Sequence, residues 1–451
     1  MLKSLLKKVA PAFIIPVYHK WIAMIAPIVY RFPSEKMVVI GITGTNGKSS
    51  TVQLLGRLLE RMGYKVGWTS TAGFKIGEKE WINDQKMTML GRFQTQKFLS
   101  QMVRDGCQYA IIETSSQGVV QSRHLGIHYD IAVWTNLTPE HIEAHGGFEA
   151  YKQAKGRFFE HVAKGKPKYL NGKKQEKSFI VNLDDPHAPY FFECSKNSGK
   201  KFGFGFEGKS NQIDQTDVFT YKASEIVFLP QETVFTLQGQ TISTKLVGSF
   251  QLYNILAATV AALALGIDKK FLFEQIPFLE PLPGRLEFIS EGQNFLVVVD
   301  YAYEPYAIQA LYETLKLFNK RRIIHVFGSA GGGRDKARRK ILGVKAAQDD
   351  DIVIITNDDP YDEDPIAIIQ EIADAARVSG KKEGENLFCI TNRQQAIKKA
   401  VELAQEGDLV LLTGKGNEPV MAISKGKKIP SDDRAMVRAC LWERLKIQEH
   451  E

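Results

Sequence analysis

The stretch MVVIGITGTNGKSSTVQLLGRLLERMG, residues 37–63, decides the fold. Apolar residues run from Met37 into Gly41, and the segment Gly44-Thr45-Asn46-Gly47-Lys48-Ser49-Ser50 follows. Val52, Leu55, Leu59 and Met62 then recur at i, i+3, i+7 and i+10. The pattern is that of a strand, a glycine-rich turn and an amphipathic helix. Such a turn points backbone N–H groups inward at the positive end of a helix dipole, which suits a phosphate. Gly44 and Gly47 let the backbone approach closely, Lys48 adds a point charge and Ser49 offers a hydroxyl to Mg²⁺. The usual form, G-x-x-x-x-G-K-[ST], has glycine where this chain has Ile42, so the loop is a variant.

The same alternation continues outward from the loop. YAIIET, IAVWTNL and SFIVNL are short apolar runs that end in polar residues, with helical patterns between them. Strands alternating with helices predict a parallel sheet covered on both faces, with active residues at the carboxyl ends of its strands. Residues 201–247 alternate as strands do and carry turn residues, which predicts a small β-rich insert; QLYNILAATVAALALG returns to helix, closed by Gly266. A second α/β unit starts near PLPGRLEFI, with strand-like runs in FLVVVDYAY, RRIIHVFGSAGG, DIVIITNDD, LFCIT and DLVLLTGKG. The turn Pro281-Leu282-Pro283-Gly284 is the expected hinge. The fold expected is α/β: a P-loop-type central domain over 37–280 with a mainly parallel sheet and a small β insert, and a Rossmann-like domain over 281–451.

Bulk composition agrees with that organisation. A chain of 451 residues, 44% hydrophobic and 24% charged, is an ordinary globular protein. The formal charge of +8 suits anionic small molecules or a membrane surface. No basic stripe with interleaved aromatics is present, so nucleic acid is not an expected partner. Cys107, Cys194, Cys389 and Cys440 are scattered, which argues against a metal cluster or disulfide framework and fits a reducing cytoplasm. Residues 1–36 are apolar and basic, interrupted by Pro11, Pro16, His19-Lys20 and Pro27. Neither apolar run approaches the ~20 residues of a membrane span. Two readings stay open for residues 1–32: a helical segment packed on the first domain, or an anchor at the inner face of the membrane with lysines near lipid headgroups.

GITGTNGKSS resembles the signature of the Mur ligase superfamily, which joins amino acids to cell-wall precursors. Further segments resemble the family in its own order: IIETSSQGVVQSR, TNLTPEHIEAHGGFEAYKQAKGRFF, VNLDDP, LVGSFQLYNILAA, PGRLE, VVVDYAYEP, FGSAGGGRDKARR, TNDDPYDEDP and GKGNE. The resemblance is to the E-type branch, which adds the third residue of the stem peptide. It implies ATP-driven amide synthesis through an acyl phosphate, with a cell-wall precursor as acceptor, a free amino acid as nucleophile and a monomeric enzyme.

The resemblance also implies roles for residues. Gly44, Thr45, Asn46, Gly47, Lys48, Ser49 and Ser50 would hold ATP, with Asn254 on the adenine side, Asp300 near the adenosine and Arg334 on phosphate as the domains close. Ser49, Glu113 and His141 match metal contacts, and His145 is a weaker match. Lys155 occupies the Y-x-x-A-K lysine that the family carbamylates, which would help hold a second Mg²⁺. Lys48, Lys155 and Arg334 form the implied catalytic set. Thr88, Ser115, Ser116, Gln121 and Arg123 match acceptor contacts; Asp358, Asp359, Tyr361 and Glu418 match the amino-acid pocket.

Departures limit the match. Only 36 residues precede the stretch that begins at Met37, where E-type ligases carry roughly a hundred residues of uridine-nucleotide-binding domain. The family's T-T-P segment reads Thr88-Met89-Leu90, and its histidines are replaced by Gln117, Tyr303 and Asn417. Its D-N-P-R segment reads Asp358-Asp359-Pro360-Tyr361, which removes the arginine that clamps the distal carboxylate of diaminopimelate. Two acidic residues there suit a cationic side chain such as that of lysine. Rival readings are a folylpolyglutamate-type or cyanophycin-type amide ligase, a Mur-fold ligase on a non-UDP or lipid-linked acceptor, and a non-catalytic ATP-binding subunit.

Overall fold

A computed structural model describes residues 14–140, 142–195, 198–209 and 217–448. Strand Val38–Thr43 lies inside an 11-stranded sheet, between Tyr109–Glu113 and Ile131–Trp134 and parallel to both. Its side chains alternate between two cores, as a strand buried on both faces requires. Val38, Ile40 and Ile42 pack with Val52, Leu55 and Leu59 of helix Lys48–Arg61. Met37 and Val39 face Phe158 and Phe159 of helix Phe148–Lys164 on the other side. Ile42 is fully buried within the strand, so the position where the common loop has glycine is core here.

Strand Val66–Thr69 extends the sheet in parallel on one side, and Ser178–Asn182, Lys200–Phe206 and Val218–Phe228 do so on the other. Antiparallel strands finish both edges: Gly73–Ile76 with Lys79–Ile82, and Thr233–Leu237 with Gln240–Thr244. The β-rich stretch expected at 201–247 therefore continues the main sheet. Helix Ser249–Ala264 covers it with an almost wholly apolar sequence and packs against Lys48–Arg61.

The second sheet has six strands. Leu296–Asp300, Leu409–Thr413, Ile323–Phe327, Ile352–Thr356 and Leu387–Ile390 are parallel, in that spatial order, with Glu287–Phe288 antiparallel at the edge. All five strand-like runs read from the sequence of this region are strands. Helix Ile14–Val29 contains Pro16 in its first turn, where the lost N–H costs least, and Pro27 in its last, where it removes the bond to the Ala23 carbonyl. It packs through buried Ala23 and Ala26, with the Ala23 carbonyl lying where a side chain on Gly126 would stand.

Gly41 sets the distance between the central strand and the helix that carries Lys155. A Cβ at Gly41 would lie 2.3 Å from Phe158 Cζ and 2.9 Å from Tyr129 Cε1. Both rings are fully buried, so the helix, not a free side-chain end, would have to move. Gly41→Val should lower the unfolding free energy by about 1–3 kcal/mol in urea titrations. Unchanged stability would show that this contact does not set the helix position.

Candidate active site

The carboxyl ends of both sheets meet at one cleft. Its walls include the loop after Val38–Thr43, Glu113 at the end of its strand, and Arg334, Asp358 and Gly414 from beyond strands of the second sheet. The loop is closed by tight packing. Gly44 has φ +150° and its Cβ would meet Thr135 Oγ1 at 1.9 Å; Gly47 has φ +79° and its Cβ would meet Asn254 Oδ1 at 2.1 Å. Backbone N–H groups of Thr45 and Asn46 are held by the Asn136 carbonyl at 2.9 Å and by Asn136 Oδ1 at 2.8 Å. Lys48 begins the following helix, and its ammonium donates back to the Thr45 carbonyl at 2.7 Å. This leaves a cation and a helix N-terminus lining one face of the cleft.

Glu113 is buried, with oxygen donors around its carboxylate. Ser49 Oγ and the Thr71 backbone N–H each donate to Oε2 at 2.7 Å, and Thr71 Oγ1 donates to Oε1 at 3.1 Å. Mg²⁺ takes one or two carboxylates plus hydroxyls, waters and substrate phosphates, so this hard-oxygen donor set fits it. Among the described residues no cluster of three His, Cys, Asp or Glu side chains forms a protein-only cage. His141 lies outside the described residues.

Lys155 is almost fully buried, 1% exposed. Its Nζ donates to the Gly44 carbonyl at 2.6 Å and stands 4.4 Å from the Tyr151 ring centroid. Burial, with Lys48 adding like-charge repulsion, holds its pKa well below the ordinary lysine value. Deprotonating this amine is therefore easier than for an ordinary lysine.

The opposite wall comes from the second sheet. Three carboxylates, Asp358, Asp359 and Glu418, lie around Lys415, at 4.0, 3.1 and 3.3 Å. A second ammonium, that of Lys86, reaches across from the first sheet's side of the cleft to Asp359 at 2.6 Å and to Glu418. Burial raises the Asp358 pKa; at Asp359 the same burial is outweighed by Lys415 and Lys86, which hold it below the usual carboxylate value. Arg334, Tyr361, Tyr301 and Tyr303 complete this wall. Other contacts also join the two sides: Asn46 Nδ2 to Glu304 Oε1 at 2.7 Å, Tyr303 OH to Glu140 at 2.6 Å, and Asp335 accepting from the Ile142 and Glu143 N–H groups at 3.2 and 3.1 Å.

Most residues named from the sequence thus converge. Thr45, Asn46, Gly47, Lys48, Ser49, Ser50, Thr88, Glu113, Ser115, Ser116, Lys155, Arg334, Asp358, Asp359, Tyr361 and Glu418 line the cleft. Asn254 and Asp300 line an adjoining cavity that opens on Asn46 and Gly47. Asp300 uses both oxygens on the Leu286 and Ala302 N–H groups, at 2.6 and 2.7 Å, so it shapes that cavity's wall. Gly44 lies behind the loop surface, against Thr135. Gln121 and Arg123 do not line the cleft; Arg123 binds Gln121 at 2.6 Å and the Met89 carbonyl. His145 stands 3.1 Å from Ser116 Oγ. Sequence reading missed Lys86, Lys415 and Glu304. Lys415 lies inside the quoted GKGNE, whereas nothing local marks Lys86 as facing residues more than 270 positions away.

A phosphate loop, a magnesium-type donor set and a second domain closing over both define a nucleotide-dependent ligase site. The chain belongs to the Mur ligase family: residues 42–262 match the Mur ligase middle domain, and residues 284–416 match the Mur ligase glutamate ligase domain. It is 34% identical over 441 residues to the UDP-N-acetylmuramoyl-L-alanyl-D-glutamate–2,6-diaminopimelate ligase of Geobacillus thermodenitrificans, covering 96% of this chain and 85% of that one. It is 35% identical over 435 residues to the UDP-N-acetylmuramyl-tripeptide synthetase of a Roseiflexus species, covering 96% and 84%. A solved UDP-N-acetylmuramoyl-L-alanyl-D-glutamate–2,6-diaminopimelate ligase aligns with TM-score 0.58 at 29% identity, covering 91% of this chain and 79% of that one. Mycobacterium tuberculosis folylpolyglutamate synthase shares the fold, with TM-score 0.64 at 17% identity over 87% of this chain and 92% of that one. The protein is an ATP-dependent amide-bond-forming ligase.

Glu304 gives the closed cleft a pH dependence. Burial and the nearby Glu140 raise its pKa to about 7. The folded state therefore holds a proton that the unfolded chain releases near pH 4.5, and stability from this group is full below that pH and lost as pH rises to about 7. Glu304→Gln, which cannot ionise, should remove that slope. Relative to the variant, the wild type should lose about 3 kcal/mol between pH 4.5 and 7.5, read from denaturation at each pH. A constant difference would show that Glu304 does not titrate in this window.

Proposed function

We propose that this ligase adds a free amino acid to a carboxylate of a cell-wall muramoyl-peptide precursor, as the E-type relatives do. The observation that carries the reading is the convergence, in one cleft, of the phosphate loop, Glu113, Lys155 and the charged pocket around Asp359 and Glu418. In this reading an acceptor carboxylate oxygen attacks the γ-phosphorus of ATP, and ADP leaves. The amino acid's amine then attacks the acyl carbon, inorganic phosphate leaves, and the nitrogen gives up a proton. Negative charge gathers at each stage, and Lys48 and Arg334 meet it from opposite walls. Mg²⁺, held by Ser49 and Glu113, would neutralise phosphate charge. Asn254 and Asp300 bound the adenosine side; Thr88, Ser115 and Ser116 take the acceptor; Asp358, Asp359, Tyr361 and Glu418 take the amino acid. Closure of the second domain keeps water from the acyl phosphate. The acidic pocket, without an arginine at Tyr361, favours a cationic amino acid such as lysine.

Lys155 is proposed to be carbamylated. Its neutral amine attacks the carbon of CO₂ and loses a proton, which turns a buried cation into a carboxylate facing the metal side of the cleft. The depressed pKa supports this, because only the uncharged amine is nucleophilic.

Residues 14–32 are proposed to rest on an anionic membrane surface. Val17, Trp21, Met24, Ile25, Ile28 and Val29 are exposed along one helical stripe, with Trp21 at 64% and Met24 at 65%, and Phe32 is exposed just beyond it. No acidic residue precedes Glu35, while Lys3, Lys7, Lys8, Lys20 and Arg31 are basic. Among the described residues no helix is long and apolar enough to cross a membrane.

Phosphate release should require ATP, a muramoyl-dipeptide acceptor and an amino acid together, and Lys48→Ala should cut kcat/KM by roughly 100-fold or more. Release that ignores acceptor and amino acid would sink the reading. Turnover should rise with bicarbonate in the wild type and not in Lys155→Arg; equal responses would exclude the carbamate. Vesicles with anionic lipid should bind the wild type and lose a Trp21→Glu/Ile28→Glu variant, whereas equal binding by both would dismiss the membrane contact.

A further inference from the structure

Lys86 reaches the amino-acid pocket from the first domain. It lies in the turn between strand Lys79–Ile82 and helix Arg92–Arg104, two residues before Thr88. Its ammonium is bound to Asp359 at 2.6 Å and to Glu418, and its side chain is only 7% exposed. Both partners are residues assigned above to the amino acid. Lys415 already contacts the same carboxylates and lies fully buried beneath them, with a third bond to the Val420 carbonyl at 2.7 Å. Arg393, behind the pocket, is committed to Asp433 at 2.6 Å. Lys86 therefore supplies the outer, cleft-facing cation of a three-carboxylate cluster.

The backbone around this contact is held in an unfavourable conformation. Lys86, Asp359 and Tyr361 have φ of +56°, +37° and +53°, in the left-handed region that side chains other than glycine seldom occupy. Such conformations persist where tertiary contacts impose them, so loss of the ion pair frees the segment to relax. Contacts on either side tether the turn: Asn83 Nδ2 donates to the Ser70 and Met87 carbonyls at 2.8 and 3.0 Å, and Lys428 Nζ donates to the Asp84 carbonyl at 2.6 Å.

Resting on the proposed amino-acid pocket, we infer that Lys86 is an internal stand-in for the side-chain ammonium of a cationic substrate. It fills the outer ammonium position on Asp359 and Glu418 and holds the domains together. A dibasic amino acid competes for the same carboxylates and expels it, releasing the turn that carries Thr88. Neutral and acidic amino acids offer no second ammonium and leave the latch in place. Self-occupancy of this kind raises the apparent dissociation constant of the competing ligand by the reciprocal of the open fraction.

The test compares wild type, Lys86→Met and Lys86→Arg in amino-acid-dependent phosphate release with L-lysine and L-ornithine, and in hydrogen exchange of residues 83–90. Removing the ammonium should lower KM for both amino acids about tenfold, and Lys86→Arg, which keeps the charge, should stay near wild type. In the wild type, saturating L-lysine should speed exchange across 83–90, and L-alanine should not. An unchanged or raised KM in Lys86→Met, or protection of 83–90 by L-lysine, would overturn the stand-in. Wild-type phosphate release that responds to no amino acid would instead remove the ligase reading itself, so the two failures are separable. Urea midpoints of both variants establish that they fold.

Discussion

Two sheets present their carboxyl ends to one cleft, and the resulting burial of charge is the constraint on which the remaining features depend. Lys155, Lys415, Glu113 and Asp358 are all nearly excluded from solvent, and a buried ion without a partner costs several kcal/mol. Each is therefore held by a specific neighbour. Glu113 takes Ser49 and Thr71, Lys415 takes Asp359 and Glu418, and Lys155 has a carbonyl oxygen and an aromatic face. Lys155 alone of these four is a cation with no carboxylate within 4 Å in the described ion pairs, so nothing close offsets the burial and the Lys48 repulsion that depress its pKa.

Position follows from packing that begins far from the charges. Gly41 admits Phe158, which fixes helix Phe148–Lys164 against the central strand, and one turn earlier on that helix Lys155 arrives under Gly44. Gly44 and Gly47 in turn admit Thr135 and Asn254. The loop's shape is thus dictated from below by the sheet and from the side by helix Ser249–Ala264. That explains how it dispenses with a glycine at Ile42: the strand simply continues through that position as core.

Much of this was readable in the sequence, for physical reasons that differ by region. The loop, its helix and the five strands of the second sheet carry strong local signals, because periodicity and glycine spacing report backbone form directly. The β-rich stretch after residue 200 was visible as strands, but its attachment to the main sheet was not, since pairing register is a non-local property. Gln121 and Arg123 matched a motif and yet satisfy each other outside the cleft, because a motif fixes residue type and leaves side-chain direction to packing. Lys86 escaped for the opposite reason. It sits in a turn with no pattern of its own, and only the closing of the second domain gives it partners.

Around the cleft the seam between the domains is polar, whereas elsewhere Val247 and Phe250 join the apolar core of the second domain. Asn46 with Glu304, Tyr303 with Glu140, Asp335 with two backbone N–H groups, and Asn417 with the Ala72 carbonyl are hydrogen bonds that water can replace when the domains part. An apolar seam of the same extent would hold the domains shut regardless of ligand. Burying the charges that face the cleft costs free energy unless they are balanced, so closure would depend on what balances them. In the proposed reaction a triphosphate would answer Lys48 and Arg334, a divalent cation Glu113, and an ammonium Asp359 and Glu418. Lys86 brings one such ammonium to Asp359 and Glu418 from the first domain.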